Sequence, residues 1–191
     1  MAKPRFRFTK VRSVKAPTRN NQGDAGLDFY MPEDLTLSDL LNANSAAEDV
    51  EYKDLASESS YAVTLSDGKI KELYIGPKTR ILIPSGIRAL LEPVASMMQA
   101  NNKSGRSTKK GLIFTAEVCD SPYTGEYHIG VYNTSNKVQV LKAGESVVQF
   151  VHVPVYLVDP EEISLEDYEA EAKDWGTRGN KGFGSGDKKE S

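Results

Sequence analysis

The sequence predicts an all-β sandwich or barrel, and three features carry that expectation. Apolar and β-branched residues come in short runs, the runs end at glycine, proline or asparagine, and they succeed one another at regular spacing. "RILIPSGIRALLEP" reads as two strands joined by a turn at Pro84, Ser85 and Gly86. "GLIFTAEV", "GEYHIGVYN", "NKVQVLKAG" and "SVVQFVHVPVYLV" supply further strands, and in the third Val138 and Val140 alternate with Gln139 before a turn at Gly144. Two stretches have helical character. "TLSDLLNA" spaces Leu37, Leu40 and Leu41 along one face, and "SLEDYEAEAKDW" places Ser164 as an N-cap with Asp167 three residues on.

The segment of about residues 33–75 reads as an insertion. It begins with the first helical stretch, continues through polar "AAEDVEYKDLASESS", and ends in a hairpin turning at Asp67-Gly68. It is too small to bury a core of its own, so it is expected as surface decoration on the β domain.

The chain has 191 residues, enough for one well-cored domain, with 39% hydrophobic and 27% charged residues. A net charge of −3 argues against general nucleic-acid binding. Cys119 is the single cysteine, so no intramolecular disulfide forms, as suits a reducing compartment. The basic start has no apolar stretch of signal-peptide length, and no run reaches the length of a membrane span. The expectation is a soluble cytoplasmic protein (host cytoplasm if viral), with neither nucleic acid nor membrane as partner.

Charge is unevenly distributed. Residues 33–60 hold eight acidic residues and one lysine, and residues 159–174 repeat that balance. "KSGRSTKK", by contrast, carries Lys103, Arg106, Lys109 and Lys110 and no acid. A basic loop rich in serine and glycine offers close backbone N–H groups, hydroxyl donors and positive charge, which an anion site requires. By itself such a cluster is as readily a solvated turn.

Five short motifs occur in order: "DAGLDFY", "NKSGRSTKKGL", "CDSPYTGEYHIGVYN", "GESVVQFVHVP" and "RGNKGFGSG". Together they resemble the five motifs of the trimeric dUTPases across nearly the whole chain outside the insertion. The resemblance implies a jelly-roll-like β-barrel or sandwich subunit with one short helix and the inserted segment. It also implies a domain over 1–173, a flexible lid arm over 174–191, and a homotrimer whose subunits share active sites. The implied reaction is hydrolysis of dUTP to dUMP and pyrophosphate with Mg²⁺ as cofactor, serving dUTP removal and dUMP supply.

The implied roles follow motif by motif. Asp28 helps hold Mg²⁺ on the triphosphate through water, consistent with an ion that keeps several waters and takes few protein carboxylates. Asp120 orients and deprotonates the attacking water. The Tyr123 ring lies against the deoxyribose and leaves no room for a 2′-hydroxyl. Val118 and Cys119 read the uracil edge through the main chain, with the Cys119 sulfur as buried packing rather than a nucleophile. His128 falls at a further base-contacting position, although a strand histidine is also a common structural residue, and His152 reads as structural. Lys103, Ser104, Gly105 and Arg106 form the phosphate motif, and Gln149 reaches phosphate. In the tail, Phe183 stacks over uracil and Arg178 clamps the γ-phosphate. Gly182 and Gly184 bring N–H groups close to phosphate oxygens, with Ser185 adding a hydroxyl.

Three positions depart from the family pattern. Lys103 stands where arginine is usual, so it brings charge without a bidentate fork, and Arg106 is near enough to share the phosphate. Ser146 also replaces an arginine, and Lys181 takes a slot often held by glycine. Two other readings stay open. One is a regulatory dUTPase-like protein that binds a protein partner through its acidic insertion. The other is dCTP deaminase, which would need a catalytic glutamate where this chain has Gly130.

Overall fold

The computed structural model describes residues 3–175. Two units divide between Tyr156 and Leu157. Among the described residues the first unit contains β1 (Arg5–Lys10), β2 (Gly26–Tyr30), α1 (Leu37–Ala43), β3 (Glu51–Tyr52), β4 (Ser60–Ser66) and β5 (Lys69–Ile75). It continues with β6 (Arg80–Glu92), β7 (Ser96–Asn101), α2 (Ser104–Lys110), β8 (Leu112–Phe114), β9 (Val118–Asp120), β10 (Glu126–Asn133), β11 (Gln139–Lys142) and β12 (Ser146–Pro154). The second unit contains α3 (Leu165–Ala172), whose N-cap Ser164 accepts the Asp167 N–H at 3.1 Å, as the sequence leads one to expect. No helix among the described residues is long and apolar enough to cross a membrane.

The strands form three four-stranded sheets, ordered β1-β6-β10-β8, β11-β5-β4-β3 and β2-β12-β7-β9. Every pairing is antiparallel except the short β3 with β4. Neighbours such as β2 and β12, or β5 and β11, are remote in sequence, so the sheets are joined by crossovers in the manner of a jelly roll. Their inner faces share one apolar cluster that includes Phe29, Ile83, Tyr127, Val131 and Phe150.

The stretch expected as two strands joined by a turn is a single strand, β6, thirteen residues long. Gly86 lies at φ +75°, a left-handed conformation that bends the strand without ending it. The pairing register with β10 shifts there, between Arg88 opposite Glu126 and Pro84 opposite His128. Beyond the bend, residues 87–92 take β1 as a second partner. Pro84 and Gly86, which read as turn residues, therefore mark a bulge.

Surface decoration is also the wrong description of residues 33–75. Leu35, Leu40, Ile70, Leu73 and Ile75 are fully buried and belong to the same cluster as Ile81 and Phe150. The hairpin does turn at Asp67 and Gly68, with φ +53° and +72°, but its second strand β5 pairs with β11 and so joins the main body. α1 begins with a capping box between Thr36 and Asp39. It ends at Asn44, whose amide donates to Leu82 O and whose carbonyl accepts from Leu82 N, both at 2.8 Å. That pair of bonds gives the open edge of β6 the partner a strand would have supplied. Each element here is short, with few apolar residues among many polar ones, so the pattern alone concealed the burial.

The basic stretch expected as a loop is helical: α2 runs from Ser104 to Lys110 and stops at Gly111, φ +68°. Lys109 and Lys110 lie in its last turn, where positive charge is favourable to the helix dipole. A direct test of the revised view of residues 33–75 is Leu40→Ala. It is expected to lower stability by about 2–5 kcal/mol in urea unfolding, the usual cost of a buried Leu→Ala change; a decorative segment would lose well under 1 kcal/mol.

Candidate active site

β2 turns Asp28 into the protein, where it is 5% exposed. A buried carboxylate needs a partner, and Lys103 supplies one: Nζ lies 2.6 Å from Asp28 Oδ2 and 2.7 Å from Ser146 Oγ. Lys103 occupies the N-cap position of α2 but its side chain has no acceptor with which to cap it; the side chain reaches back to β2 and β12. From the next turn, Arg106 Nη2 donates to Ser146 O at 3.0 Å and pairs with Glu145 Oε2 at 3.2 Å. The Glu145 carboxyl is held below its ordinary pKa. Burial works against that, and the bond from the Lys142 N–H and the Arg106 charge outweigh it. Gln149 sits in register with Asp28 on one side and Asn101 on the other, and donates from Nε2 to Asn102 O at 3.1 Å. Its side chain lies over Gly26, where a Cβ would meet Oε1 at 2.6 Å.

This first group thus collects Asp28, Lys103, Arg106 and Gln149, with Ser104 and Gly105 in the first turn of α2. Two departures in the sequence become one arrangement. An arginine at 146 would set a second cation against Lys103, whereas Ser146 accepts from it. The ammonium has three donors, two of which are used within the described residues, and the Arg106 fork has five. Donors therefore remain for an anion. Asn102, Glu145 and Ser146 were not among the expected site residues; Ser146 was marked only as a departure from the family pattern, and nothing in the type of Asn102 or Glu145 marks them.

The second group surrounds the turn between β9 and β10. Asp120 ends β9 in an exposed position, and its carbonyl accepts the Tyr123 N–H at 3.0 Å. The Tyr123 ring folds back over Gly125, where a Cβ would come within 2.5 Å of the ring and the hydroxyl. One side stacks on buried Tyr127, with centroids 6.0 Å apart, and the side chain remains 46% exposed. Val118 is exposed on β9, and His128 Nδ1–H donates to Glu126 O at 2.8 Å. A Cβ at Gly130 would meet Thr115 Oγ1 at 2.5 Å, so the glutamate a deaminase would need there would force Thr115 to move. His152 is bonded to Ser96 Oγ at 2.7 Å.

Within one chain the two groups are apart. Asp28 faces Gln149, Gln149 faces Asn101, and Asp120 faces Met97 on the same strand as Asn101. Three interstrand steps and four residues along β7 correspond to roughly 20 Å along the sheet. Arg178, Phe183, Gly184 and Ser185 lie outside the described residues.

A family model described as dUTPase matches residues 69–186, more than half of the chain. A deoxyuridine 5′-triphosphate nucleotidohydrolase of Fusobacterium nucleatum is 30% identical over 139 residues, 72% of this chain and 90% of that protein. The chain belongs to the dUTPase family. The enzyme of the same name from Aquifex aeolicus is 33% identical over 116 residues, 59% of this chain and 76% of that protein. Among solved structures, a mutant dUTPase of Staphylococcus bacteriophage 80alpha with dUpNHpp superposes with a TM-score of 0.64 at 18% identity, covering 95% of this chain and 98% of that one. The dUTPase match begins at the first residue of β5, so part of the segment read as an insertion belongs to the family region. Asp28 lies before that region.

Cys119, next to Asp120, has its thiol pushed up to about 11 by burial and by the neighbouring carboxylate. At pH 8 only about a thousandth would be thiolate, so alkylation by iodoacetamide is expected to run at least ~100-fold slower than for a free cysteine. Labelling at the free-thiol rate would contradict a packing role for the sulfur.

Proposed function

We propose that this dUTPase-family chain hydrolyses dUTP to dUMP and pyrophosphate. The observation that carries the reading is the β9–β10 turn. There an exposed carboxylate, Asp120, stands three residues before a tyrosine whose ring folds over Gly125, stacks on Tyr127 and stays partly exposed.

In this reading Asp120 accepts a proton from the attacking water, whose oxygen forms a bond to the α-phosphorus. The bond from that phosphorus to its bridging oxygen breaks, and pyrophosphate departs with the electron pair. Lys103, Arg106, Gln149 and the α2 N–H groups of Ser104 and Gly105 hold the phosphates and stabilise the charge that develops. Tyr123 packs against the deoxyribose and excludes a 2′-hydroxyl by contact. Main-chain groups of Val118 and Cys119 read the uracil, with His128 close by.

Asp28 is the residue that would hold Mg²⁺. Among the described residues no cluster of three or more His, Cys, Asp or Glu forms a metal cage. A single carboxylate suffices for an ion carried mainly by water and phosphate oxygens, and Asp28 Oδ2 would share its charge between that ion and Lys103. When bound, Mg²⁺ supplies charge neutralisation on the triphosphate.

A homotrimer follows from the same reading. Two residue groups roughly 20 Å apart in one chain form one site if each group meets its complement from a neighbouring subunit. Residues 174–191, with Arg178, Phe183, Gly184 and Ser185, act as a lid that closes over the nucleotide and opens for release.

The test is pyrophosphate release from dUTP in Mg²⁺. Asp120→Asn is expected to lower turnover by about 10²–10⁴-fold while nucleotide binding persists. Wild-type protein that binds dUTP without turnover would sink the reading, and ammonia release from dCTP would transfer it to a deaminase. Deleting residues 178–191 should leave a folded oligomer with most of its turnover gone; unchanged turnover would rule out the lid.

A further inference from the structure

Glu126, the first residue of β10, is held from both of its ends. Its carboxylate accepts Arg12 Nε at 2.8 Å, Arg12 Nη2 at 3.3 Å and the Gly86 N–H at 2.7 Å. Its backbone carbonyl accepts the Tyr123 hydroxyl at 2.9 Å and faces His128 Nδ1 at 2.8 Å. The residue that fixes the Tyr123 phenol is therefore itself fixed by a planar, two-pronged cation.

Arg12 has a second obligation. Its Nη1 lies 3.0 Å from Asp39 Oδ1, and Asp39 is the acidic member of the capping box that starts α1. Arg12 and Glu126 are each no more than 20% exposed at the side chain, and Asp39 is 28% exposed. Such burial screens the pair less than a surface ion pair and makes a lost partner expensive. Arg12 is held against the bulge by its own backbone: Val11 N donates to Gly86 O at 2.9 Å, and a Cβ on Gly86 would meet Arg12 Cβ at 3.0 Å. Arg88 Nε adds a bond to Thr124 O at 2.7 Å, on the other side of the same turn.

The geometry points to Arg12 and Glu126 as positioning residues that set the Tyr123 ring, and hence sugar selectivity, while tying the ring to α1 through Asp39. This rests on the proposed dUTP hydrolysis for the meaning of selectivity, since exclusion of a 2′-hydroxyl by contact depends on where the ring face stands. A ring freed from the Glu126 carbonyl can give way, and the penalty against the ribonucleotide shrinks. Stacking on Tyr127 and the space over Gly125 restrict the ring in two directions, and the hydroxyl bond restricts it in the third.

The experiment measures kcat/KM for dUTP and for UTP in wild type, Arg12→Ala, Arg12→Lys, Glu126→Gln and Asp39→Asn. Arg12→Ala is expected to lower the dUTP-to-UTP ratio by about tenfold, with KM for dUTP affected more than kcat. Arg12→Lys should recover part of the ratio, since an ammonium cannot grip Glu126 bidentately and reach Asp39 as well. Asp39→Asn should move it in the same direction by less. Equal losses on both nucleotides, leaving the ratio unchanged, would mean a purely structural role and overturn the proposal. Where Arg12→Ala fails to fold, the near-isosteric Glu126→Gln decides the same question.

A second readout needs no turnover. Fluorotyrosine placed at position 123 is expected to show a shifted or broadened ¹⁹F resonance in Arg12→Ala and Glu126→Gln relative to wild type. An unchanged resonance would overturn the positioning role. Should wild type fail to hydrolyse dUTP, the functional reading falls while the resonance still decides whether Arg12 sets the ring.

Discussion

β6 runs for thirteen residues and takes a partner on each edge, and it bends part-way at Gly86, whose φ of +75° is strained for other residue types. Before the bend β6 pairs with β10; beyond it, β1 takes the opposite edge. The same bend brings Arg12 and Val14 against the glycine and turns its N–H toward Glu126. Core closure and the setting of the β9–β10 turn thus share one backbone conformation. Asn44 completes the arrangement by satisfying Leu82 on the edge that β1 does not reach.

Charge in the first residue group is arranged around one costly act, the burial of Asp28. An isolated buried carboxylate would cost several kcal/mol, and Lys103 offsets that cost while Ser146 takes a second of its donors. Lysine suits this place because an ammonium can rotate its donors between β2 and β12, which a rigid fork does less easily. The division of labour between Lys103 and Arg106 is then spatial. Lys103 belongs to Asp28 and Ser146 Oγ, and Arg106 belongs to Glu145 and the Ser146 carbonyl. Both retain donors not used within the described residues, so the hydrogens that hold this group together are not the ones the proposed anion would take.

Much of the fold was legible from local chemistry. The strands of β10, β11 and β12, the Asp67-Gly68 hairpin and the Ser164 cap each depend on residues within a few positions of one another. The errors came where a distant partner overrides local preference. "PSG" is good turn chemistry, yet pairing with β10 and β1 on either side carries β6 through it. "KSGRSTKK" reads as a loop until Gly111 ends it as a helix and Lys103 anchors it to Asp28. Residues 33–75 read as decoration because their few apolar side chains reveal burial only against Ile81 and Phe150.

The candidate site divides along the same line. In the sequence alone, the resemblance to the dUTPase motifs marked the candidates, Asp28, the Lys103–Arg106 run, Asp120 with Tyr123, and Gln149, since motif chemistry is local. Only the tertiary structure decided how they are grouped, placing Asp28 with Lys103 and Gln149 at one end of a sheet and Asp120 with Tyr123 at the other. It also brought in Ser146, Glu126 and Arg12, whose importance lies in what they touch. Contacts between residues 114 positions apart, as for Arg12 and Glu126, come from strand order and register, which local pattern does not encode.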